Sequence, residues 1–166
     1  MDKYTTKIIK LDSLENTSNF ANKLSAILQK MEITPFLTIY LQGGLGSGKT
    51  TFTNYFLRSL GVQGVIKSPT YTIVEDYKIN NLKIKNIFHM DCYRLNNPEE
   101  LEYIGFRDYL EENRSIFLIE WPSKAIGSIP EFDIEIHFHY INQEDDKRVV
   151  EISLLNKFKY ILEELI

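Results

Sequence analysis

The sequence predicts an α/β domain of three layers, in which a central mixed sheet is flanked by helices. Two observations lead to this prediction. Short apolar segments typical of buried strands alternate along the chain with amphipathic segments at helical spacing. The chain has 166 residues, and folded domains peak at roughly 100–150 residues. Since no repeat or linker divides it, we expect a single domain over residues 1–166.

The first half of the chain predicts an alternation of strand, helix, strand and helix. These elements are expected at residues 4–9, 16–31, 36–41 and 49–60. Asp12 or Ser13 could start the first helix, because both residue types cap helix N-termini. The second strand reads FLTIYL, which is short, apolar and rich in β-prone residues. Gly61 is a C-terminal stop for the second helix.

The second half predicts a hairpin, three further strands and two short helices. The hairpin strands are expected at 71–79 and 83–91, and the three further strands at 116–119, 132–140 and 148–155. One helix is expected to begin at Pro98, and the other to cover 156–166. Asn80 and Asn81 suit the hairpin turn, and 142–147 is a polar turn. Strict alternation in 132–140 puts His137 and His139 on one face, which we expect to be solvated rather than a metal site.

Composition excludes several classes of protein. The net charge is −4 and the pI about 5.4, whereas domains that grip a nucleic-acid backbone are usually basic. The lone cysteine, Cys92, cannot form an internal disulfide, and we expect it to be an inert buried thiol. No apolar segment reaches the ~18–20 residues needed to cross a bilayer. We therefore expect a cytoplasmic protein without a membrane anchor.

Residues 43–50 read GGLGSGKT and fit the phosphate-binding pattern G-x-x-x-x-G-K-[ST]. Glycines in such a loop let successive backbone N–H groups point at phosphate oxygens, and the N-terminus of the following helix adds further donors. Lys49 is expected to reach the β- and γ-phosphates, and Thr50 to offer its hydroxyl to Mg²⁺. Because the motif lies between a predicted strand and a predicted helix, it indicates a nucleotide site.

Two acidic residues end predicted strands and are candidates for the metal and for catalysis. Glu120 follows the apolar run IFLI, and Asp91 ends the run IFHM. Either carboxylate could hold Mg²⁺ or orient the attacking water, as acids do in phosphate-loop enzymes. His89 alternates with Asp91, so it could position Asp91 by a hydrogen bond or take part in the chemistry.

Motifs that the sequence lacks distinguish between the classes of phosphate-loop protein. No N-K-x-D segment is present to read guanine, so ATP is the expected nucleotide. The arginines are few and scattered, which disfavours a small-molecule kinase with an arginine-rich lid. Residues 68–72, SPTYT, lie where such proteins often carry a loop that senses the γ-phosphate. Trp121 follows Glu120 and could be core, stack on a ligand or contact a partner.

At these residues the chain resembles the bacterial TsaE family of phosphate-loop ATPases, which act in the synthesis of threonylcarbamoyladenosine in tRNA. That family carries G-D-L-G-A-G-K-T-T, S-P-T-[FY]-T, H-x-D-x-Y-R, P-E-E-L, E-W-P and a late arginine. The corresponding segments here are 43–51, 68–72, 89–94, 98–101, 120–122 and Arg148. One departure is Gly44, which stands where the family usually has aspartate.

The resemblance implies a weak ATPase with Mg²⁺ that works with TsaD-type and TsaB-type partner proteins, with tRNA contact indirect or weak. It implies nucleotide binding by Leu45, Gly46, Ser47, Gly48, Lys49, Thr50, Thr51, Thr70 and Arg148. It further implies Mg²⁺ binding by Thr50 and Glu120, catalytic roles for Asp91, Lys49 and Glu120, and a nucleotide flanked by residues 14–17. A nucleotide-gated binding module with negligible hydrolysis and a small-molecule kinase stay as alternatives.

Overall fold

The computed structural model describes residues 2–141 and 147–165, and it contains one mixed sheet with helices on both faces. The strands are Tyr4–Leu11 (β1), Phe36–Gln42 (β2), Val74–Lys78 (β3), Asn86–Asp91 (β4), Ser115–Glu120 (β5), Ile134–Tyr140 (β6) and Arg148–Leu155 (β7). The helices are Leu14–Leu28 (α1), Lys49–Ser59 (α2), Glu100–Tyr103 (α3), Phe106–Leu110 (α4) and Tyr160–Leu165 (α5). Short 3-10 turns lie at Pro122–Lys124 and Asn156–Phe158.

The sheet has the strand order β1-β7-β6-β2-β5-β4-β3. Its four central strands, β6, β2, β5 and β4, are parallel, whereas β1, β7 and β3 run antiparallel to their neighbours. The sequence predicted one antiparallel hairpin in a mixed sheet, and the structure has a second antiparallel part at the β1-β7-β6 edge. The parallel centre has a consequence for the site: the carboxyl ends of β2, β4 and β5 meet at one edge of the sheet.

Two apolar cores confirm the three layers. In β5, Ile116 and Leu118 face one core together with α1, α2 and α5, whereas Phe117 and Ile119 face a second core together with α3 and α4. Every residue of this strand is buried, as expected for a parallel strand covered on both faces. Packing on both sides fixes the position at which β5 ends and therefore the position of Glu120.

The first helix begins near the predicted residue and ends earlier than predicted. Ser13 is its N-cap, and the Ser13 hydroxyl accepts a hydrogen bond from the Asn16 N–H at 3.1 Å. After Leu28 the chain continues with shorter-range bonds, such as Met31 N–H to the Leu28 carbonyl, so the last turn is tightened rather than α-helical.

The hairpin of β3 and β4 is present, but its turn differs from the prediction. The last paired residues are Lys78 and Asn86, so residues 79–85 connect the strands instead of the two asparagines alone. The Asn81 side chain accepts hydrogen bonds from the N–H groups of Lys83 and Ile84, which builds a wider turn. The first strand also starts later than predicted, because Ile73 has a φ of 67° and interrupts the extended backbone.

The helical segments of the second half are each divided into two parts. The segment after Pro98 forms two short helices, separated where Gly105 adopts a φ of 71°. The C-terminal segment divides into a 3-10 turn and α5. The predicted polar turn at 142–147 lies, except for Lys147, outside the described residues. Within the described residues, no helix is long and apolar enough to cross a bilayer.

Candidate functional site

A cleft of about 430 Å³ opens at the edge where the parallel strands end. It brings together the glycine-rich loop after β2, the acids that end β4 and β5, and the start of β7. All residues that the sequence predicted for the site line this cleft: Leu45, Gly46, Ser47, Gly48, Lys49, Thr50, Thr51, Thr70, Asp91, Glu120 and Arg148. Leu14 and Thr17 of α1 line it too.

The glycine-rich loop has a backbone that only glycines adopt without strain. Gly43, Gly46 and Gly48 have φ values of 136°, 72° and 107°. A Cβ on Gly43 would lie 2.6 Å from the Ser47 hydroxyl and 2.7 Å from the Phe138 carbonyl oxygen. Gly44 differs, because a Cβ there would make only ordinary contact with the Tyr140 ring at 3.7 Å. The position that departs from the family pattern can therefore hold a side chain.

The loop leads directly into α2, whose N-terminus supplies backbone donors. The first helical hydrogen bond runs from the Phe52 N–H to the Gly48 carbonyl at 2.9 Å. The N–H groups of residues 49–51 therefore precede the helical ladder and lie at the positive end of the helix dipole. This is the donor set that binds phosphate in other phosphate loops, so the residues present fit a nucleoside triphosphate.

Lys49 is a buried cation at the centre of the cleft. Its ammonium donates hydrogen bonds to the carbonyls of Gly43 at 2.6 Å and Gly44 at 3.0 Å. It also lies 4.9 Å from the centre of the Trp121 ring. Burial lowers the pKa of Lys49, and the nearby carboxylates of Glu120 and Asp91 oppose that effect.

Asp91 and Glu120 are direct neighbours across the parallel pair of β4 and β5. Asp91 accepts hydrogen bonds from the Tyr93 N–H at 3.0 Å and from the Thr70 hydroxyl at 3.4 Å. Burial is the largest cause that raises the pKa of Asp91, and the charge of Glu120 acts in the same direction. The 68–72 segment therefore reaches the acid through Thr70.

His89 contacts Glu120 and not Asp91, the acid that its position in the sequence suggested. Its Nε2 lies 2.9 Å from Oε1 of Glu120, and the two side chains are buried. The sequence suggested a bond to Asp91, two residues along the same strand. His89 and Asp91 are two residues apart on β4, so their side chains point to the same face of the sheet. Glu120, on the neighbouring strand β5, supplies a closer partner for His89. The pair depends on the register between β4 and β5, which the sequence does not reveal.

Trp121 is half-buried: it packs against the second core and also lines the cleft. It follows β5 with a φ of 53°, and its ring packs 4.9 Å from the ring of Tyr93. The Lys49 ammonium also packs against this ring, so Trp121 covers it at the cleft wall. Cys92 is buried, as expected, and burial raises the pKa of its thiol to about 12.

Arg148 reaches the loop from the start of β7. Its Nε donates to the Ser47 carbonyl at 2.9 Å, and its Nη2 to the Gly46 carbonyl at 3.4 Å. Tyr140, at the end of β6, donates its hydroxyl to the Leu45 carbonyl. The sequence did not single out Tyr140, although it stands in the predicted alternating strand just before the polar turn that precedes Arg148.

Oxygen donors suited to Mg²⁺ line the same cleft. Thr50 is exposed at the start of α2, and the carboxylates of Asp91 and Glu120 end their strands. No group of three His, Cys, Asp or Glu side chains among residues 2–141 and 147–165 is placed to hold a metal by itself. In phosphate-loop enzymes one hydroxyl, one acid, phosphates and water share Mg²⁺, and Thr50 with either acid would supply the protein's part of that donor set.

Two comparisons with known protein sequences point to one family. A family model described as "Threonylcarbamoyl adenosine biosynthesis protein TsaE" matches residues 11–150. The Haemophilus influenzae protein named tRNA threonylcarbamoyladenosine biosynthesis protein TsaE is 47% identical over 133 residues, which cover 80% of each chain. A Bacillus subtilis protein of the same name is 31% identical over 143 residues, 86% of this chain and 84% of that protein.

A solved structure supports the fold. The crystal structure of Bacillus subtilis YdiB matches with a TM-score of 0.73 at 24% identity and covers 99% of this chain and 97% of that one. The matched region of the family model includes the glycine-rich loop, both acids and Arg148. The chain belongs to the TsaE family.

Proposed function

We propose that this protein binds and hydrolyses ATP with Mg²⁺, as a component of the machinery that makes threonylcarbamoyladenosine in tRNA. Family membership supports the role in tRNA modification. The observation that carries the ATPase proposal is the convergence of Lys49, Asp91 and Glu120 on one cleft beside the glycine-rich loop. A binding loop alone would explain nucleotide affinity, whereas the two neighbouring acids give the cleft groups for hydrolysis.

Phosphate recognition would use the loop backbone and Lys49. The amides of residues 45–51, which include the N-terminus of α2, are the donors for the phosphate oxygens, except for the Ser47 N–H, which bonds to the Gly44 carbonyl. The Lys49 ammonium is held by two carbonyls at the start of the loop, so it is already at the base of the cleft. A β- or γ-phosphate oxygen would take over these bonds as a charged acceptor, and charge-assisted bonds are the stronger ones.

Thr50 and Glu120 would hold Mg²⁺, which when bound neutralises charge on the transferred phosphate. Asp91 is the candidate that orients or deprotonates the attacking water. Its raised pKa makes the carboxylate a stronger base than an exposed aspartate, while the Tyr93 N–H holds one of its oxygens in place. Thr70 touches the other oxygen, so the 68–72 segment could report the γ-phosphate to this residue.

Partner proteins of the TsaD and TsaB types are part of the proposal, as is a cytoplasmic location. Two exposed aromatic side chains lie at the cleft: Tyr93, 43% exposed, lines it, and Tyr71, 81% exposed, packs against the lining residue Arg94. Aromatic residues are enriched at protein interfaces, so this rim suits a protein partner. The net charge of −4 disfavours a strong independent grip on tRNA, because tRNA binding requires neutralised phosphates.

Two variants test the proposal in a reconstituted reaction with partners, tRNA, threonylcarbamoyl-adenylate and ATP·Mg²⁺. Lys49→Ala should lose ATP binding, since a charge-assisted bond is worth about 1.5–3 kcal/mol. Glu120→Gln should retain ATP binding and lose phosphate release and repeated rounds of modification. Undiminished ATP turnover in Lys49→Ala would contradict the proposal.

The alternatives give different results in the same reaction. If Glu120→Gln supports repeated modification, ATP-dependent docking is the function and hydrolysis is not. Transfer of phosphate from ATP to a small metabolite would instead indicate a kinase. The matched control is Glu163→Gln, because Glu163 is exposed on α5 and does not line the cleft.

A further inference from the structure

We propose that Tyr140 and Arg148 are positioning residues that clamp the glycine-rich loop from the β6–β7 edge and hold its amides in the arrangement that binds phosphate. This inference deepens the proposed function, since it rests on phosphate binding by that loop. It assigns Tyr140 a role, and it changes the expected role of Arg148 from a nucleotide ligand to a residue that acts through the loop backbone.

The clamp holds three consecutive peptide carbonyls. Tyr140 donates its hydroxyl to the carbonyl of Leu45, while Arg148 donates to the carbonyls of Gly46 and Ser47. The donors of all three bonds lie outside the loop. Two side chains from the neighbouring β6–β7 pair therefore fix the orientation of the peptide planes at the centre of the loop.

Because the peptide group is planar, hydrogen bonds that fix a carbonyl also fix the direction of the following N–H. In a trans peptide the carbonyl and the following N–H point in opposite directions. Holding the carbonyls of Leu45 and Ser47 therefore directs the N–H groups of Gly46 and Gly48 away from the clamp. The intervening N–H, on Ser47, turns back to the Gly44 carbonyl at 3.2 Å and stiffens the loop.

The clamp has a rigid base. Tyr140 and Arg148 are directly opposite each other as the last pair of the antiparallel β6–β7 ladder, and the guanidinium lies 5.2 Å from the tyrosine ring centre. The adjacent strand residues Phe138 and Val150 are buried in the core. The side chains that contact the loop are therefore supported from the sheet.

The fit between clamp and loop is close. A Cβ on Gly46 would lie 3.3 Å from the Tyr140 hydroxyl, and one on Gly48 would lie 3.7 Å from Arg148 Nε. A glycine-rich loop has high conformational freedom, and fixing it on binding costs free energy. A clamp that orders the loop before binding removes part of that cost. It should therefore increase the affinity for every ligand that binds to these amides.

Tyr140→Phe tests this, because it removes one hydroxyl and keeps the ring. The dissociation constants of ADP·Mg²⁺ and of pyrophosphate would be measured by calorimetry, together with amide hydrogen exchange over residues 43–48 without ligand. We expect both ligands to weaken by the same factor, about three- to tenfold, as one hydrogen bond predicts. We also expect faster exchange in this segment. Tyr160→Phe, in α5, is the matched control and should change neither.

Arg148→Lys keeps the charge and loses the fork of donors, so it should behave like Tyr140→Phe and weaken both ligands by at least the same factor. Since the two residues hold one loop, the double variant should lose less affinity than the product of the two single losses. Unchanged affinity and exchange in Tyr140→Phe would overturn the clamp, even if Arg148→Lys weakened binding as a direct ligand would. Failure of the unaltered protein to bind either ligand would instead overturn the proposed function and, with it, the clamp's role in binding.

Discussion

His89 and Glu120 form a buried pair across β4 and β5, with 2.9 Å between Nε2 and Oε1. The second ring nitrogen of His89, Nδ1, is buried and has no hydrogen-bond partner among the described residues. The pair therefore commits one imidazole nitrogen to one carboxylate oxygen. It fixes the direction of the carboxyl group and leaves its second oxygen for the cleft.

Removal of His89 should destabilise the fold. His89→Ala leaves the carboxylate of Glu120 buried without this partner, and an unsatisfied buried group costs about 1–3 kcal/mol, more when it is charged. We expect the free energy of unfolding, measured by urea denaturation, to fall by about this amount. Glu120→Gln is the companion variant, since the glutamine oxygen can still accept the imidazole N–H. A loss as large in Glu120→Gln as in His89→Ala would show that the pair does not act in this way.

The raised pKa of Asp91 predicts a pH dependence of stability. The folded protein binds this proton more tightly than the unfolded chain, so the contribution of the carboxyl group is largest below its unfolded pKa, about 3.9. That contribution is lost as the pH rises through the folded pKa. At pH 7 the ionised side chain therefore lowers the free energy of unfolding.

Asp91→Asn should accordingly be more stable than the unaltered protein at pH 7, and the difference should shrink as the pH falls toward about 4. Urea denaturation at several pH values measures both quantities. Asp76→Asn, at an exposed position of β3, is the control and should leave the pH dependence of the free energy of unfolding unchanged. A stability gain in Asp91→Asn that stays constant with pH would contradict the role of this carboxyl group.

The central part of the fold and the site could be predicted because it depends on local sequence. The glycine-rich loop, the strand that precedes it and the helix that follows it are contiguous, so spacing alone locates Lys49 and Thr50. The acids Asp91 and Glu120 were found because each ends an apolar run. Parallel strands then bring their carboxyl ends to the same edge of the sheet.

The pairings between distant segments could not be predicted, because they depend on strand register. The bond from His89 to Glu120 and the contact of Tyr140 with Arg148 each join neighbouring strands at particular residues. One residue of slippage would turn these side chains to the other face. The turn at 79–85 was missed for another reason: the Asn81 side chain replaces the short backbone turn that the sequence suggested.

Gly43 should be the glycine of the loop least able to accept a side chain. Gly43→Ala would place a Cβ within 2.7 Å of the Ser47 hydroxyl and the Phe138 carbonyl at a φ of 136°. We expect a loss of stability of about 2–4 kcal/mol, from backbone strain together with the steric clash. Gly64→Ala is the matched control, since its φ is 75° but nothing lies within 4 Å of the added carbon. Equal losses in the two variants would mean that neither the contact to Phe138 nor the φ of 136° adds to the cost of a positive φ.

Trp121 should report nucleotide binding through its fluorescence. It is the single tryptophan of the chain, and its ring centre lies 4.9 Å from the Lys49 ammonium that the phosphates would engage. Because indole emission responds to nearby charge, titration with ADP·Mg²⁺ should change the signal until the site is saturated. Lys49→Ala should lose this change along with binding, whereas Trp121→Phe should lose the signal and keep most of the affinity, since phenylalanine retains an aromatic face for the cation. An unchanged spectrum at saturation, verified by calorimetry, would show that Lys49 keeps its position against Trp121 when nucleotide binds.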